Sequence, residues 1–342
     1  MPLISTTLAL AALLTRAWPA QGPGLVLTVQ DDEARAALAI LDTLDTNREP
    51  SAALWTRLWT SNGYRKLQRR ETAMRRPFTD SSFMAFLRSD SMVARRDRLR
   101  HTLAAWRTMN LQAGGQQALR WLPAGARIRA TVYLLIKPKV NSFVFETASD
   151  PSIMLFLDPD KSVAEYTNHV VHELHHIGYA SACPEVSPAT SDAPGQVRRW
   201  LGAFGEGLAM LAAVDGPRTH PHASSEPVVR ARWDRDVANF DQDLRAVENF
   251  VRGVLEGRIA GDSIAARAGD FYGVQGPWYT VGWKMAAVIV AERGRDGLVA
   301  VMCDPVALLR TFNRAVPPYT KRTGERLATW EPGLLNRITP GG

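Results

Sequence analysis

The chain has 342 residues, of which 46% are hydrophobic and 22% are charged, and its formal net charge is +7. These proportions are ordinary for a soluble globular protein, and the length allows one large domain or two smaller ones. No stretch after residue 22 reaches about eighteen consecutive uncharged apolar residues. The composition therefore argues against an integral membrane segment in that part of the chain.

Residues 1–22 differ in composition from the rest. An uncharged, largely apolar run extends from Leu3 to Leu14 and is too short to span a bilayer; Arg16 and small residues at 19–22 follow it. This order is typical of a secretory signal peptide, although no Lys or Arg precedes the run. We therefore expect signal cleavage and export to the periplasm or the medium. A buried N-terminal helix is the alternative.

Residues 23–125 are predicted to form a helical N-terminal region. Asp31, Asp32 and Glu33 precede a stripe of apolar residues at helical spacing, as at the start of an amphipathic helix. The predicted helices cover residues 31–46, 51–60, 64–76, 80–89 and 91–112.

Basic residues concentrate between Arg57 and Arg100, where acidic residues and apolar core positions interrupt them. That mixture is typical of the solvated faces of amphipathic helices. An anionic partner such as a membrane surface or a cell-wall polymer is the alternative. The sequence contains no nucleic-acid-binding motif, so we expect no nucleic acid partner.

Three short runs rich in β-branched and aromatic residues predict a small sheet after Gly125. They cover residues 128–136, 142–146 and 153–157. The run at 153–157 fits either a buried strand or an edge strand that pairs with an extended peptide. Ser162, with Glu165 three residues later, then predicts the start of a helix that ends near Tyr179.

The rest of the chain is predicted to be helical, with loops at 180–195 and 215–225. The predicted helices cover residues 196–214, 227–256, 279–292, 296–302 and 305–315, and a tail rich in Pro and Gly follows. The predicted fold class is α+β, mostly helical, with a small sheet before the helix at 162–179. Residues 126–342 would form a catalytic region, either separate from residues 23–125 or continuous with them.

The helix that begins at Ser162 contains the pattern His-Glu-x-x-His. Residues four apart lie on one face of a helix, with Cβ atoms roughly 5–6 Å apart, so the imidazoles of His172 and His176 can bind one ion. Zinc accepts such nitrogen ligands at about 2.0–2.1 Å. Glu173 would lie beside the ion, where a carboxylate can take a proton from water. The pattern predicts one zinc ion, with Glu173 as general base.

A catalytic zinc site usually has three protein ligands, so a later segment must supply one more. Glu206 is the best candidate, because Gly205 and Gly207 flank it inside a predicted helix, where each glycine costs about 1 kcal/mol relative to alanine. The close approach of another helix would explain these glycines. The alternative ligands are Glu185, Asp192, Asp215 and Glu226.

The His-Glu-x-x-His pattern, followed by a helix with Gly-Glu-Gly-Leu-Ala, resembles the gluzincin class of zinc metallopeptidases. It is also similar to a bacterial family of zinc-dependent peptidases. The resemblance covers roughly residues 150–215 and implies a zincin-like fold and a peptide or protein substrate. It also implies zinc ligands at His172, His176 and Glu206, with Glu173 as the general base.

The chain departs from the gluzincin pattern at Met210. Many gluzincins carry an Asp at this position, one turn after the ligand glutamate, and it hydrogen-bonds a ligand histidine. Other groups must therefore fix the histidine tautomers here. The metzincin pattern is excluded, because the glycine that it requires three residues after His176 is Tyr179.

Hydrolysis also needs a group that stabilises the oxyanion. Tyr279 is the first choice, because it lies where a loop enters a predicted helix. The other candidates, each of which can be an ordinary packed residue, are Tyr272, His220 and His222. His169 and His175 are expected to support the site or to lie on the surface, since neither is well placed on the metal-binding face.

The two cysteines, Cys183 and Cys303, can pair in an oxidising compartment, but their separation in sequence does not fix their distance. Two buried free thiols are the favoured interpretation. Two further function classes stay open beside the peptidase: a zinc-stabilised, non-catalytic envelope binding protein, which needs no general base, and a metal-free helical scaffold. The sequence does not specify the substrate, the cleavage preference or the oligomeric state.

Overall fold

The computed structural model describes residues 24–147, 149–184 and 191–339. Within them the fold is mostly helical and contains a four-stranded mixed sheet, which confirms the predicted α+β class. The strands are β1 (Leu25–Gln30), β2 (Ile128–Leu135), β3 (Phe143–Phe145) and β4 (Ser152–Phe156). The helices are α1 (Asp32–Asp45), α2 (Ala52–Thr60), α3 (Asn62–Ala73), α4 (Asp80–Leu87), α5 (Asp90–Arg107), α6 (Leu111–Arg120), α7 (Val163–Ala182), α8 (Ala193–Leu201), α9 (Gly205–Ala213), α10 (Pro227–Ala238), α11 (Phe240–Leu255), α12 (Asp262–Asp270), α13 (Pro277–Val299), α14 (Pro305–Thr323) and α15 (Pro332–Ile338). The predicted signal peptide at 1–22 lies outside the described residues.

The sheet has the order β1-β2-β4-β3. Strands β1, β2 and β4 are parallel, with Leu25 opposite Ile128 and Thr131 opposite Ser152, whereas β3 runs antiparallel to β4. Because β4 lies between two strands and all of its residues are buried, the edge-strand interpretation of 153–157 is wrong and the buried-strand interpretation is confirmed. The sequence patterns do not predict β1.

In the N-terminal region, the single helix predicted at 91–112 is two helices, α5 and α6. The side chain of Asn110 accepts a hydrogen bond from the Ala113 backbone N–H over 3.0 Å and so caps the start of α6. A side chain that satisfies the unpaired N–H groups of a helix start favours a new helix at that point.

Acidic partners neutralise much of the basic region between Arg57 and Arg100. Arg95, for example, lies 3.0 Å from Asp160. Lys66 and Arg70 are buried instead of solvated, and Lys66 Nζ donates a hydrogen bond of 2.6 Å to Asp150 Oδ2. The interpretation as solvated helix faces is therefore wrong for these two side chains, since a buried cation needs a partner.

Helix α7 begins where the sequence predicts. The Ser162 hydroxyl accepts a hydrogen bond from the Glu165 backbone N–H over 3.1 Å, while the Glu165 carboxylate contacts other side chains instead of completing a capping box. The helix ends at Ala182, and the next residue, Cys183, forms a disulfide with Cys303 in the segment between α13 and α14. The expectation of two free thiols is wrong, because the fold brings the Cα atoms to 4.9 Å.

The helices of the C-terminal half differ in extent from the predicted ones, and α14 continues to Thr323 through residues that were predicted to be part of the tail. The helix predicted at 196–214 is α8 and α9, joined by a 3₁₀ turn at Gly202–Phe204, and the one predicted at 227–256 is α10 and α11, which meet at Asn239. Helix α13 spans the two helices predicted from 279 to 302 and breaks at Gly294, whose φ of 71° interrupts the helix. The sequence patterns do not predict α12 or α15.

Buried residues from both predicted regions belong to one hydrophobic cluster. Leu38 and Leu99 from residues 23–125 share it with Leu174 of α7 and Ile289 of α13. None of the helices in the part of the chain that the structure describes is long and apolar enough to cross a membrane.

Candidate metal centre

Helix α7 places two imidazoles side by side. Because His172 and His176 are four residues apart on one helix face, their Nε2 atoms come within 3.0 Å of each other. The ring planes are nearly perpendicular, at 81°. The histidine pair predicted from the sequence is therefore formed by local helix geometry alone.

Helix α9 brings a carboxylate to the same point. Oε2 of Glu206 lies 3.1 Å from Nε2 of His172 and 3.2 Å from Nε2 of His176. Glu206 stands in the first turn of α9. The best candidate for a third ligand thus reaches the histidine pair across 30 positions of sequence.

A close helix crossing explains how Glu206 is positioned. A Cβ atom on Gly207 would lie 2.1 Å from the backbone nitrogen of Trp283, and one on Gly282 would lie 2.8 Å from the carbonyl oxygen of Phe204. Helices α9 and α13 can meet this closely only because both positions are glycine. The predicted reason for the glycines is confirmed for Gly207. It is wrong for Gly205, whose added Cβ would contact nothing within 4 Å.

The three ligand atoms fit a zinc ion. They form a nearly equilateral triangle with edges of 3.0, 3.1 and 3.2 Å. Ligand atoms at about 2.0–2.1 Å from a tetrahedral zinc are about 3.3 Å apart, so this triangle is close to one face of such a site. Two imidazole nitrogens and one carboxylate oxygen are also a donor set that catalytic zinc sites use. Within the described residues, no other group of three His, Cys, Asp or Glu side chains converges in this way.

The electrostatics of the triangle favour a cation. Burial alone would raise the pKa of the Glu206 carboxyl, but His176 and His172 outweigh burial and hold that pKa well below its usual value. Burial would lower the pKa of His176, yet the adjacent Glu206 raises it to about 9. The carboxylate thus stays ionised and attracts positive charge to the imidazoles, which is the charge that a bound metal ion supplies.

Glu173 lies beside the triangle, on the wall of a cavity. Its side chain is 5% exposed, and burial raises the pKa of its carboxyl despite the nearby His172 and His176. The cavity has a volume of about 420 Å³ and also contacts His172. A carboxylate in this position can exchange a proton with a molecule in the cavity.

Tyr279, the first choice for the oxyanion group, lies on the same cavity wall. Its ring stacks at 14° to the His172 ring, with 6.3 Å between the ring centroids. Burial, and then the charges of Glu206 and Glu173, raise the pKa of its hydroxyl above the usual value. The hydroxyl therefore keeps its proton and can donate a hydrogen bond into the cavity.

The other predicted site residues have different positions. Tyr272 packs against Tyr279 with ring centroids 6.5 Å apart, and His220 pairs with Asp234 at 2.9 Å. His222 is buried and lines the cavity. Of these three, only His222 contacts the cavity beside the triangle.

His169 and His175 were expected to support the site or to lie on the surface. His169 lines the cavity, and burial lowers its pKa to about 3. His175 is 1% exposed, so a surface position is wrong for it, and burial lowers its pKa to about 3 as well. Both rings are neutral at pH 7, which makes them polar but uncharged neighbours of the triangle.

The alternative metal ligands do not join the triangle. Asp192 caps α8 by accepting a hydrogen bond from the Gly195 backbone N–H, and Asp215 accepts one from Nε1 of Trp121. Glu226 is exposed at the start of α10, and Glu185 lies outside the described residues. Met210 is buried on the cavity wall, and Nδ1 of His172 makes no hydrogen bond to any described residue.

Sequence reasoning missed several polar residues of the cavity wall, among them Lys161, Asn168, Arg232 and Gln275. Helical spacing could have found Asn168, since it lies four residues before His172 on α7 and therefore shares its face. No local sequence pattern indicates Arg232, because contacts between segments that are distant in sequence bring α10 to the cavity.

Fold and site together define a mostly helical protein with a candidate mononuclear metal centre at the edge of a cavity. A family model described as "Putative zinc dependent peptidase (DUF5700)" matches residues 55–317, which include the triangle, Glu173 and Tyr279. The match covers more than half of the chain, so the chain belongs to that family. Its description suggests a zinc-dependent peptidase. No curated protein and no solved structure matches the chain.

Proposed function

We propose that this protein is a zinc-dependent peptidase in which His172, His176 and Glu206 hold one zinc ion. The observation that carries the proposal is the triangle of ligand atoms with edges of 3.0 to 3.2 Å beside a cavity that Glu173 and Tyr279 also line. A zinc ion held there supplies Lewis-acid chemistry, which polarises a carbonyl group and lowers the pKa of water. The substrate is a peptide or protein.

The chain's own groups divide the remaining work. Glu173 accepts a proton from the attacking water and passes it to the amine that leaves. The buried setting of Glu173 suits this role, because a carboxylate with a raised pKa holds the proton between the two steps. The Tyr279 hydroxyl donates a hydrogen bond to the carbonyl oxygen as negative charge develops on it.

The test of this proposal compares the wild type with Glu173→Gln. Because the amide cannot accept a proton, we expect the variant to bind one equivalent of zinc and to lose about 10²-fold or more in rate on a peptide library. Thr167→Ala is the matched control, because this partly exposed side chain of α7 bonds only the Val163 carbonyl of its own helix, and it should keep both properties. Undiminished proteolysis by Glu173→Gln would contradict the mechanism. A wild type that binds zinc and cleaves nothing in the library would favour the non-catalytic binding protein.

We further propose that the protein is exported. The Cys183–Cys303 disulfide supports this location, because disulfides persist in oxidising compartments and are rare in a reducing cytosol. The signal-like composition of residues 1–22 supports it as well. Cell fractionation with thiol alkylation should find the disulfide-bonded form outside the cytoplasm. Protein with two free thiols in the cytoplasmic fraction alone would contradict the proposal.

A further inference from the structure

The cavity beside the metal triangle extends beyond the catalytic groups. His172, Glu173 and Tyr279 line one part of it, while α10 and the residues just before α7 line another. A peptide whose cleaved bond lies at the triangle would place its neighbouring groups against this second part. The charged side chains in this second part therefore influence which peptides can bind.

Two cations and one further carboxylate lie in that second part. Nζ of Lys161 is 3.4 Å from Oε1 of Glu165, and the Ser225 hydroxyl donates a hydrogen bond of 3.2 Å to the same oxygen. The charge of Glu165 is thus balanced by its neighbours. Arg232, on α10, is half-buried on the cavity wall, and no described carboxylate lies within 4.0 Å of its guanidinium. Arg232 consequently offers positive charge and several N–H donors without a partner among the described residues.

A second, independent feature lies beside Arg232. Ser225 gives its one hydroxyl proton to Glu165, so its oxygen accepts a hydrogen bond from Nδ1 of His222, 3.3 Å away. Burial lowers the pKa of His222 to about 4, so the ring is neutral and carries that single proton on Nδ1. Nε2 of His222 is then a hydrogen-bond acceptor; it is buried and has no partner within 3.5 Å among the described residues, and the nearby Gln275 side chain interacts with the ring without outweighing burial.

We propose that Arg232 binds a carboxylate of the peptide substrate and thereby selects peptides that carry an acidic group close to the cleaved bond. This inference rests on the proposed peptidase function and names its substrate class. A guanidinium matches a carboxylate with two parallel hydrogen bonds, and in a half-buried cavity such a pair is stronger than in water. The acceptor on His222 suits a peptide N–H next to that carboxylate. The carboxylate belongs either to the C-terminus of the peptide or to an Asp or Glu side chain.

The test measures the binding of fluorescent peptides to zinc-loaded Glu173→Gln protein, which keeps the peptide intact. One peptide sequence is used in three forms: with a free C-terminus and no acidic side chain, with an amidated C-terminus and one Glu scanned through each position, and with neither carboxylate. We expect one carboxylate form to bind about 10- to 100-fold more tightly than the neutral form. The form that binds more tightly identifies the source of the carboxylate.

Variants of the same protein then test whether Arg232 is the residue that binds the carboxylate. Arg232→Ala should remove the preference and leave the affinity for the neutral peptide unchanged, whereas Arg232→Lys should restore part of it. Arg235→Ala, an exposed arginine on the same helix, should change nothing. Equal affinity for all three peptides, no binding of any peptide, or a preference that survives in Arg232→Ala would overturn the proposal. Zinc content and cleavage by the wild type are measured separately, so a failure of the peptidase function is distinguishable from a failure of carboxylate recognition.

Discussion

The crossing of α9 and α13 at Gly207 makes the strongest structural prediction. An added Cβ at this position would lie 2.1, 2.4 and 2.6 Å from three backbone atoms of Trp283 and Gly282. Ordinary contact begins at 3.4 Å, so the two helices must separate by about 1.3 Å to admit the methyl group of Gly207→Ala. Backbone atoms inside a packed helix cannot rotate away as a flexible side chain would.

Two effects of Gly207→Ala oppose each other. Alanine has a better helix propensity than glycine by about 1 kcal/mol, whereas overpacking of a close contact costs about 1–3 kcal/mol and occasionally more. The contact with backbone makes the upper part of that range applicable, so we expect the free energy of unfolding to fall by about 1–2 kcal/mol net. Glu206 precedes Gly207, and Tyr279 lies one turn before Gly282. The separation therefore moves these two side chains apart, whichever helix shifts.

Metal binding should report the part of this displacement that α9 takes up, because Glu206 on α9 must stay close to the two histidines of α7. Zinc sites tolerate ligand shifts of only about 0.2 Å, so we expect zinc affinity to fall by about 10-fold or more in Gly207→Ala. Gly205→Ala is the matched control, because its Cβ would meet nothing within 4 Å and its φ of −51° suits alanine. Urea unfolding and zinc titration against a chelator measure the two effects. If Gly207→Ala were as stable and bound zinc as tightly as Gly205→Ala, the close crossing would not be what positions Glu206.

Three further predictions concern other parts of the molecule. Tyr279→Phe should keep zinc and lower kcat by about 10²-fold, and an unchanged kcat would remove the hydroxyl from the mechanism. Burial raises the pKa of Glu33 to about 8 from 4.5, so its neutral form stabilises the folded protein fully below pH 4.5 and this contribution is lost as the pH rises to about 8. Urea unfolding measured from pH 5 to 9 should show that the free energy of unfolding of the wild type falls by a few kcal/mol relative to that of Glu33→Gln. If the two proteins changed in parallel with pH, the raised pKa of Glu33 would be contradicted. Because the disulfide closes a sequence separation of 120, replacing Cys183 and Cys303 by Ser should cost about 2–5 kcal/mol in thermal or urea unfolding, and an unchanged midpoint would contradict a stabilising role.

The features predicted correctly are those that short-range chemistry determines. The pair His172 and His176 depends only on helix periodicity, and the start of α7 depends on one hydroxyl of Ser162. Glu206 could be predicted because the two glycines beside it are costly in a helix, which suggested the close approach of another helix. The structure shows that close approach for Gly207 alone. The fold class followed from the contrast between helical spacing and short β-branched runs.

The features missed depend on contacts between distant segments. Strand β1 pairs with β2 across about a hundred residues, and nothing local distinguishes that pairing. The same holds for the Cys183–Cys303 bond and for Arg232, which reaches the cavity only because α10 packs against α13, where Trp233 contacts Trp283. The helix boundary at Asn239 was missed because the apolar spacing continues through it. The spacing of apolar residues predicts which face of a helix is buried, but it does not predict where one helix ends and the next begins.

The central claim is that His172, His176 and Glu206 together bind one zinc ion. Its most direct test is elemental analysis by mass spectrometry of the purified wild type, Glu206→Ala and Asp215→Asn after dialysis against a weak chelator. We predict one zinc per chain in the wild type and in Asp215→Asn, whose carboxylate bonds Trp121 away from the triangle, and well under one in Glu206→Ala. A wild type without zinc, or a Glu206→Ala variant that retains a full equivalent, would contradict the account.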